Sequence, residues 1–432
     1  MKLKRKATDS ENSAAKKTAE NKKSFFAARK KILVTVLGCA VIMCAFVGIG
    51  KNLPKQEPIE LETVADSPEE DRQKAAFEVA AGGAVLIDAD TGEVLFQQDS
   101  HKELPLASVT KIMTMLLVME AADDGKITLA DEVTISERAA SMGGSQMYME
   151  AGEIHTVEEL LRGVAMASAN DGCVALAEYV AGSEEIFVER MNEKAEELGM
   201  TDTHFSNTNG LPVADHYSSA YDIALMSKEL YEYEETHEWF TTWQSSITVG
   251  LPGKEKEFGL TNTNKLIKQY PGCNGIKTGF TADAGYCLSA SATREETHLI
   301  AVALGCESSK IRNSEVSKLL DYGFANFETC VIAEKDQEIE KIKVENGQPQ
   351  TLMAITEDRI TALTEKGGKG DVSSKAKIDE KVRLPLKKGQ KVGTLVVYRG
   401  DEKIGEYPLV AETAVEKASF GELAKRFVKK IF

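Results

Sequence analysis

Histidine, tryptophan and regularly spaced cysteine are scarce in this chain of 432 residues. The six histidines form no H-E-x-x-H or H-x-H pair, so no metal site is read from them and no cofactor is expected. Of seven cysteines, Cys39 and Cys44 lie in an apolar run. The other five, Cys173, Cys273, Cys287, Cys306 and Cys330, show no C-x-x-C and no regular spacing. A chain this long needs no disulfide framework, and these read as small buried hydrophobes. Basic charge is short as well: 52 Lys and Arg against 68 Asp and Glu leave a net charge of −16, which argues against a nucleic-acid-binding body. No repeat of solenoid length is visible. A hydrophobic fraction of 42% is enough for a real core, and the length exceeds one typical domain.

The charge is unevenly distributed. Residues 1–31 carry eleven Lys and Arg against three acids and read as a basic cytoplasmic tail. Ile32 to Gly50 is uncharged and apolar, bounded by Arg29-Lys30-Lys31 and Lys51. About twenty such residues span a bilayer, and the preceding cations place the N-terminus inside and the acidic bulk outside. No A-x-A site follows, so the run reads as an uncleaved transmembrane signal anchor of a bacterial cell membrane protein. It continues well past Cys39, against a lipoprotein site. Residues 51–74, polar and containing three prolines, read as a linker.

From about Ala75 the texture becomes globular. Gly83–Asp88 and Asp90–Phe96 read as a hairpin around a D-x-D-T-G turn. Apolar spacing then predicts helices over Lys111–Ala122, Thr156–Val180 and Glu184–Leu198. Strands are expected at Gly285–Ala292 and Thr297–Gly305, and a closing helix at Val316–Phe327. Strands at both ends with helices between predict an α+β domain whose sheet unites the two ends. Short alternating segments at Glu340–Glu345, Thr351–Thr356, Lys377–Leu386 and Gly393–Tyr398 predict a small all-β module over 329–411. In residues 412–432, Phe420, Leu423, Ala424, Phe427, Val428 and Ile431 fall on one helical arc. Lys425, Arg426, Lys429 and Lys430 fall on the other, a pattern suited to an anionic membrane surface.

Three short patterns carry chemistry. S-x-x-K occurs three times, but only Ser108 to Lys111 opens a good apolar helix, where a three-residue spacing puts both side chains on one face. S-x-N at Ser168 to Asn170 follows an apolar helical stretch. Lys277-Thr278-Gly279 occurs once, just before the strand expected at Gly285. Each is weak alone; together, in this order and within residues 75–328, they are specific.

The set resembles the low-molecular-mass penicillin-binding proteins that are serine-type D-alanyl-D-alanine carboxypeptidases. The likeness extends to Leu106–Thr114, Glu197–Met200, Asn207–Pro212 (NTNGLP) and Ala284–Leu288. It implies a β-lactamase/transpeptidase-like catalytic domain over 75–328 followed by the β module. It also implies a cell-wall role: removal of the terminal D-alanine from peptidoglycan stem peptides ending in D-Ala-D-Ala, with β-lactam antibiotics as covalent inhibitors. With no plausible histidine partner, Ser108 needs Lys111 as its base, and that lysine needs a depressed pKa, from burial and from Lys277 as a second cation. The resemblance further implies that Ser168 relays the proton and that Asn170 holds Lys111 and the substrate amide. Lys277 and Thr278 would take the substrate carboxylate, and Gly279 would leave room for the substrate. The backbone N–H groups of Ser108 and Phe280 would take the oxyanion. The stretch before Lys277 departs from the pattern, with Thr263 where an arginine is expected and Lys265 as the substitute. A β-lactamase would need an E-x-x-L-N base, absent from Glu193–Asn209. A silent peptidoglycan binder would be expected to lose Ser108, Lys111 or Lys277, and a high-mass transpeptidase would carry a larger N-terminal domain.

Overall fold

The computed structural model describes residues 77–379 and 382–431. The basic tail, the apolar run at 32–50 and the linker at 51–74 lie outside the described residues. Among the described residues no helix is long and apolar enough to cross a membrane.

The expected hairpin forms from β1 (Gly83–Asp88) and β2 (Val94–Gln98), with the Asp88 carboxylate accepting from both the amide and hydroxyl of Thr91. The longer helices that follow are α1 (Lys111–Asp123), α2 (Val157–Ala167), α3 (Asn170–Ala181), α4 (Glu184–Glu197) and α5 (Ala220–Tyr231). Then come β3 (Cys273–Thr281), β4 (Gly285–Arg294), β5 (Thr297–Cys306) and α6 (Ser309–Asn326). The antiparallel sheet runs β2-β1-β5-β4-β3, so the first hairpin and the last strands share it, as the α+β reading required.

Both sheet faces are covered, which is why β1 and β5 read as continuous apolar runs. Val85, Ile87, Ile300, Val302 and Leu304 face the core that holds α1 and α5. Ala84, Leu86, Leu299, Ala301 and Ala303 face the opposite core, with Val316, Leu319 and Leu320 of α6. Helix α1 is buried on every side from Lys111 to Met119, the behaviour of a helix at the centre of a domain.

The single helix expected over Thr156–Val180 is two. Its start is well marked: Thr156 and Glu159 form a reciprocal capping box. It stops at Ser168, whose backbone is left-handed (φ 62°, ψ 38°), and α3 starts afresh at Asn170. Apolar periodicity continues through this break because both helices bury the same side, so spacing alone does not reveal it. The closing helix begins at Ser309 rather than Val316, because the Ser308 hydroxyl accepts from the Ile311 amide and caps it.

The C-terminal part is an all-β domain with its own core, which includes Ile342, Leu352, Val392, Leu395, Val397 and Leu409. Its strands are β6 (Phe327–Ala333), β7 (Glu338–Lys343), β8 (Thr351–Thr356), β9 (Ile360–Glu365), β10 (Val372–Ile378), β11 (Lys391–Arg399) and β12 (Glu402–Ala411). The order β7-β8-β12-β11-β10 makes one sheet, and β6 pairs with β9. Among the described residues no strand spans Lys377–Leu386, which was expected as one: β10 ends at Ile378, and Leu386 forms an isolated bridge to Val415. Residues 415–418 still belong to this domain, and the amphipathic helix α7 occupies Phe420–Ile431. Its apolar arc stands in the open, with Phe420 88% and Phe427 68% exposed.

Candidate active site

Ser108 sits in a 3-10 turn, Ala107–Thr110, that runs directly into α1. Ala107 before it has a positive φ of 48°, an unusual conformation for a residue with a side chain. The turn is held from outside. The Ser206 amide donates to His216 Nδ1 (2.9 Å), so His216 carries its proton on Nε2 and donates to Thr110 Oγ1 (2.8 Å). Thr110 Oγ1 in turn donates to the Ala107 carbonyl (2.7 Å). Gly210 approaches from the same side: a Cβ there would fall 1.8 Å from the Ala107 oxygen, so only glycine fits.

One turn into α1, Lys111 is fully buried, and its Nζ lies 2.9 Å from Ser108 Oγ. Its other partner is the backbone carbonyl of Asn209. Burial pulls the Lys111 ammonium down from 10.5 to about 8, against a smaller upward pull from Cys173 and Asp171. Lys277 is also buried and is held well below the ordinary lysine range, first by burial and then by repulsion from Lys111. The Cys173 thiol, pushed up to about 12 by burial, feels the positive charge of both lysines. Burial is the largest cause of the lowered pKa at both lysines.

Lys277, Thr278 and Gly279 lie on β3, the end strand of the sheet, whose outer edge pairs with no strand among the described residues. Gly279 faces the Ser108 turn: a Cβ there would meet Leu106 O at 2.9 Å and Ser108 N at 3.0 Å. Lys277 Nζ donates to the Thr278 carbonyl (3.1 Å), and Thr278 Oγ1 to Thr263 Oγ1 (2.8 Å). Phe280, next along, is 55% exposed. Ser168 is buried, and its Oγ has no hydrogen-bond partner among the described residues, an orphaned hydroxyl at a left-handed residue. Asn170, at the start of α3, is buried, and its side-chain NH2 donates to Gly143 O (2.7 Å).

Residues 69–308 match the D-alanyl-D-alanine carboxypeptidase (peptidase S11) family, and residues 327–417 the C-terminal domain of penicillin-binding protein 5. The D-alanyl-D-alanine carboxypeptidase DacF of Bacillus subtilis is 46% identical over 80% of this chain and 88% of its own. DacD of Escherichia coli is 34% identical over 82% of this chain and 92% of its own. Among solved structures, penicillin binding protein 5 of Haemophilus influenzae superposes with a TM-score of 0.65 at 31% identity, covering 80% of this chain and 100% of that one. The chain belongs to the D-alanyl-D-alanine carboxypeptidase family.

Measured against the sequence-based expectations for this family, the structure makes two corrections. No hydrogen bond joins Asn170 to Lys111 among the described residues; the lysine donates to the Asn209 carbonyl, while the Asn170 NH2 donates to Gly143. Lys265 does not stand in for an arginine beside Thr278: it lines a separate surface cleft with Gln269, Ser309 and Asn313, and Thr263 itself contacts Thr278. Two contributors went unread in sequence. Asn209 acts through its backbone, which no side-chain pattern reveals. Arg312 of α6 is buried and adds positive potential at Lys277, a proximity made only by the fold.

Proposed function

We propose that Ser108 is the nucleophile and Lys111 its base in a serine-type D-alanyl-D-alanine carboxypeptidase. The observation that carries this is the 2.9 Å contact between Ser108 Oγ and a fully buried lysine whose pKa is lowered to about 8. A lysine neutral at that pH accepts a proton that a solvated one would not.

In the reaction, Ser108 Oγ bonds to the carbonyl carbon of the penultimate D-alanine as its proton passes to Lys111 Nζ. The carbonyl oxygen becomes an oxyanion and is met by the backbone N–H groups of Ser108 and Phe280. Collapse of the tetrahedral centre breaks the C–N bond. The departing nitrogen takes the proton through Ser168, whose hydroxyl has no other partner among the described residues. Water then cleaves the ester, restoring Ser108 and releasing the shortened peptide. Lys277 and Thr278 bind the terminal carboxylate, Asn170 positions the substrate amide from α3, and Gly279 lets the peptide lie along the free edge of β3. A β-lactam amide enters by the same first step and stays as the acyl-enzyme.

The enzyme would work outside the cytoplasmic membrane, held by the apolar run at 32–50 and by the exposed apolar arc of α7. The test is D-alanine release from a peptide ending in D-Ala-D-Ala. Purified enzyme should release it and the Ser108→Ala variant should not; release by that variant at the wild-type rate removes Ser108 as nucleophile.

A further inference from the structure

The β domain carries a charged feature of its own, separate from α7. Residues 372–391 hold seven Lys and Arg against two acids, in a chain whose net charge is −16. Lys375, Lys377, Arg383, Lys387, Lys388 and Lys391 are exposed, and none of them forms an ion pair among the described residues. Their neighbours Lys366 and Lys369 are spent on the protein itself, on the Phe324 carbonyl (2.9 Å) and the Glu328 carboxylate (3.3 Å).

Lys375 and Lys377, two apart on β10, share one face of the sheet. β10 is an end strand, and lysines on such an edge keep further strands from adding to it. That duty does not account for Lys387, Lys388 and Lys391, which lie in a turn and at the start of β11, an inner strand. The turn adjoins the root of α7. The Gly389 amide donates to the Ala411 carbonyl (2.9 Å), and Leu386 and Val415 each donate an amide to the other's carbonyl (2.9 Å). Phe420 follows Val415 by five residues, at most about 17 Å of chain. Glu412 and Glu416, the acids of that connection, are fewer than the cations of the turn. Among the described residues no large apolar side chain is exposed between 372 and 391, so the strip suits lying against an anionic surface and not entering it.

We propose that the strip from Lys375 to Lys391 is a second contact with the anionic lipid surface on which α7 docks. Continuity with the root of α7 is what assigns it to lipid. The inference rests on the membrane reading of α7 and deepens it: two contacts restrain how the β domain tilts over the lipid, which a single helix does not. Cations without an inserted side chain hold a surface only weakly, so the strip supplements α7 and does not replace it.

The described residues belong to one compact unit, Lys74–Phe432, which leaves out the apolar run that would hold vesicles by itself. Binding of this unit to mixed phosphatidylglycerol–phosphatidylcholine vesicles is compared with that of variants. The pair Lys387→Ala and Lys388→Ala weakens it by roughly tenfold, and adding Lys375→Ala and Lys377→Ala by roughly a hundredfold in all, with a flatter salt dependence. D-alanine release from a soluble peptide is unchanged, because exposed surface positions tolerate these substitutions. Equal binding by the wild type and the variant with all four substitutions overturns the second contact and leaves α7 docking intact. A wild type that ignores anionic vesicles at low salt overturns the α7 reading and this inference with it. If soluble poly(glycerol phosphate) stays bound through these lysines at a salt concentration that frees the protein from vesicles, the partner is an anionic polymer and the lipid assignment is overturned.

Discussion

Gly279 approaches the Ser108 turn so closely that a Cβ would come within 3.0 Å of the Ser108 amide nitrogen and 3.1 Å of that of Val109. The end strand and the nucleophile turn are therefore in backbone contact, and neither can shift without the other. Gly279→Ala should leave the protein folded yet slow acylation by a fluorescent penicillin by roughly tenfold or more, since displacements of a few tenths of an ångström at reacting atoms are costly. Gly259→Ala, at a glycine with open space around it, serves as the control. Equal acylation rates in the two variants would show that the contact does not position Ser108.

The pH dependence of acylation follows from Lys111. Its neutral form is the base, and that form appears above the depressed pKa of about 8. The second-order rate of penicillin acylation should rise through about pH 8 and level off above it. A rate flat between about pH 6 and about pH 10 would exclude Lys111 as the base.

Much of this site was legible in the sequence, for a physical reason. Ser108 and Lys111 are three residues apart on a helix, and Lys277 to Gly279 are consecutive on a strand, so local geometry alone presents them together. Strands β4 and β5 were legible because both sheet faces are buried and the apolar runs are unbroken. What was not legible depends on distant chain. The break at Ser168 hides under continuous apolar periodicity, and the Asn170 amide is claimed by Gly143 of a loop 27 residues earlier. In the β domain, β9 and β12 escaped notice. Ile360–Glu365 is buried through five of its six positions and lacks alternation, and β12 opens on charged, glycine-containing sequence.

Acid should destabilise the fold through two histidines. Burial holds His216 and His298 near a pKa of about 4, against an ordinary 6.5. Between those values the unfolded chain binds protons that the folded one refuses, so stability is full above about pH 6.5 and falls as pH drops towards about 4. Protonated His216 would turn an N–H towards the Ser206 amide, which already donates to that nitrogen. Each histidine should cost on the order of 2 kcal/mol between pH 7 and pH 5, measured by urea unfolding. His216→Gln should flatten part of that slope; an unchanged slope in that variant would remove His216 from the account.

Helix α7 makes a separate prediction. Phe427, Val428 and Ile431 are exposed, so the apolar arc finds no cover on the β domain, while Lys425, Arg426 and Lys429 supply positive charge. A protein starting near residue 75 should co-sediment with anionic vesicles at low salt, release as salt rises, and lose binding when residues 420–432 are removed. No binding to anionic vesicles at low salt would refute membrane docking by this helix.

The central claim is that Ser108, activated by Lys111, is the residue that becomes acylated. Intact-mass measurement after incubation with a penicillin tests it most directly, followed by peptide mapping of the adduct. The account predicts one penicilloyl group per chain, on the peptide containing Ser108, with none on Ser108→Ala and at most traces on Lys111→Ala. An adduct on any other residue, or one that persists in Ser108→Ala, would contradict it.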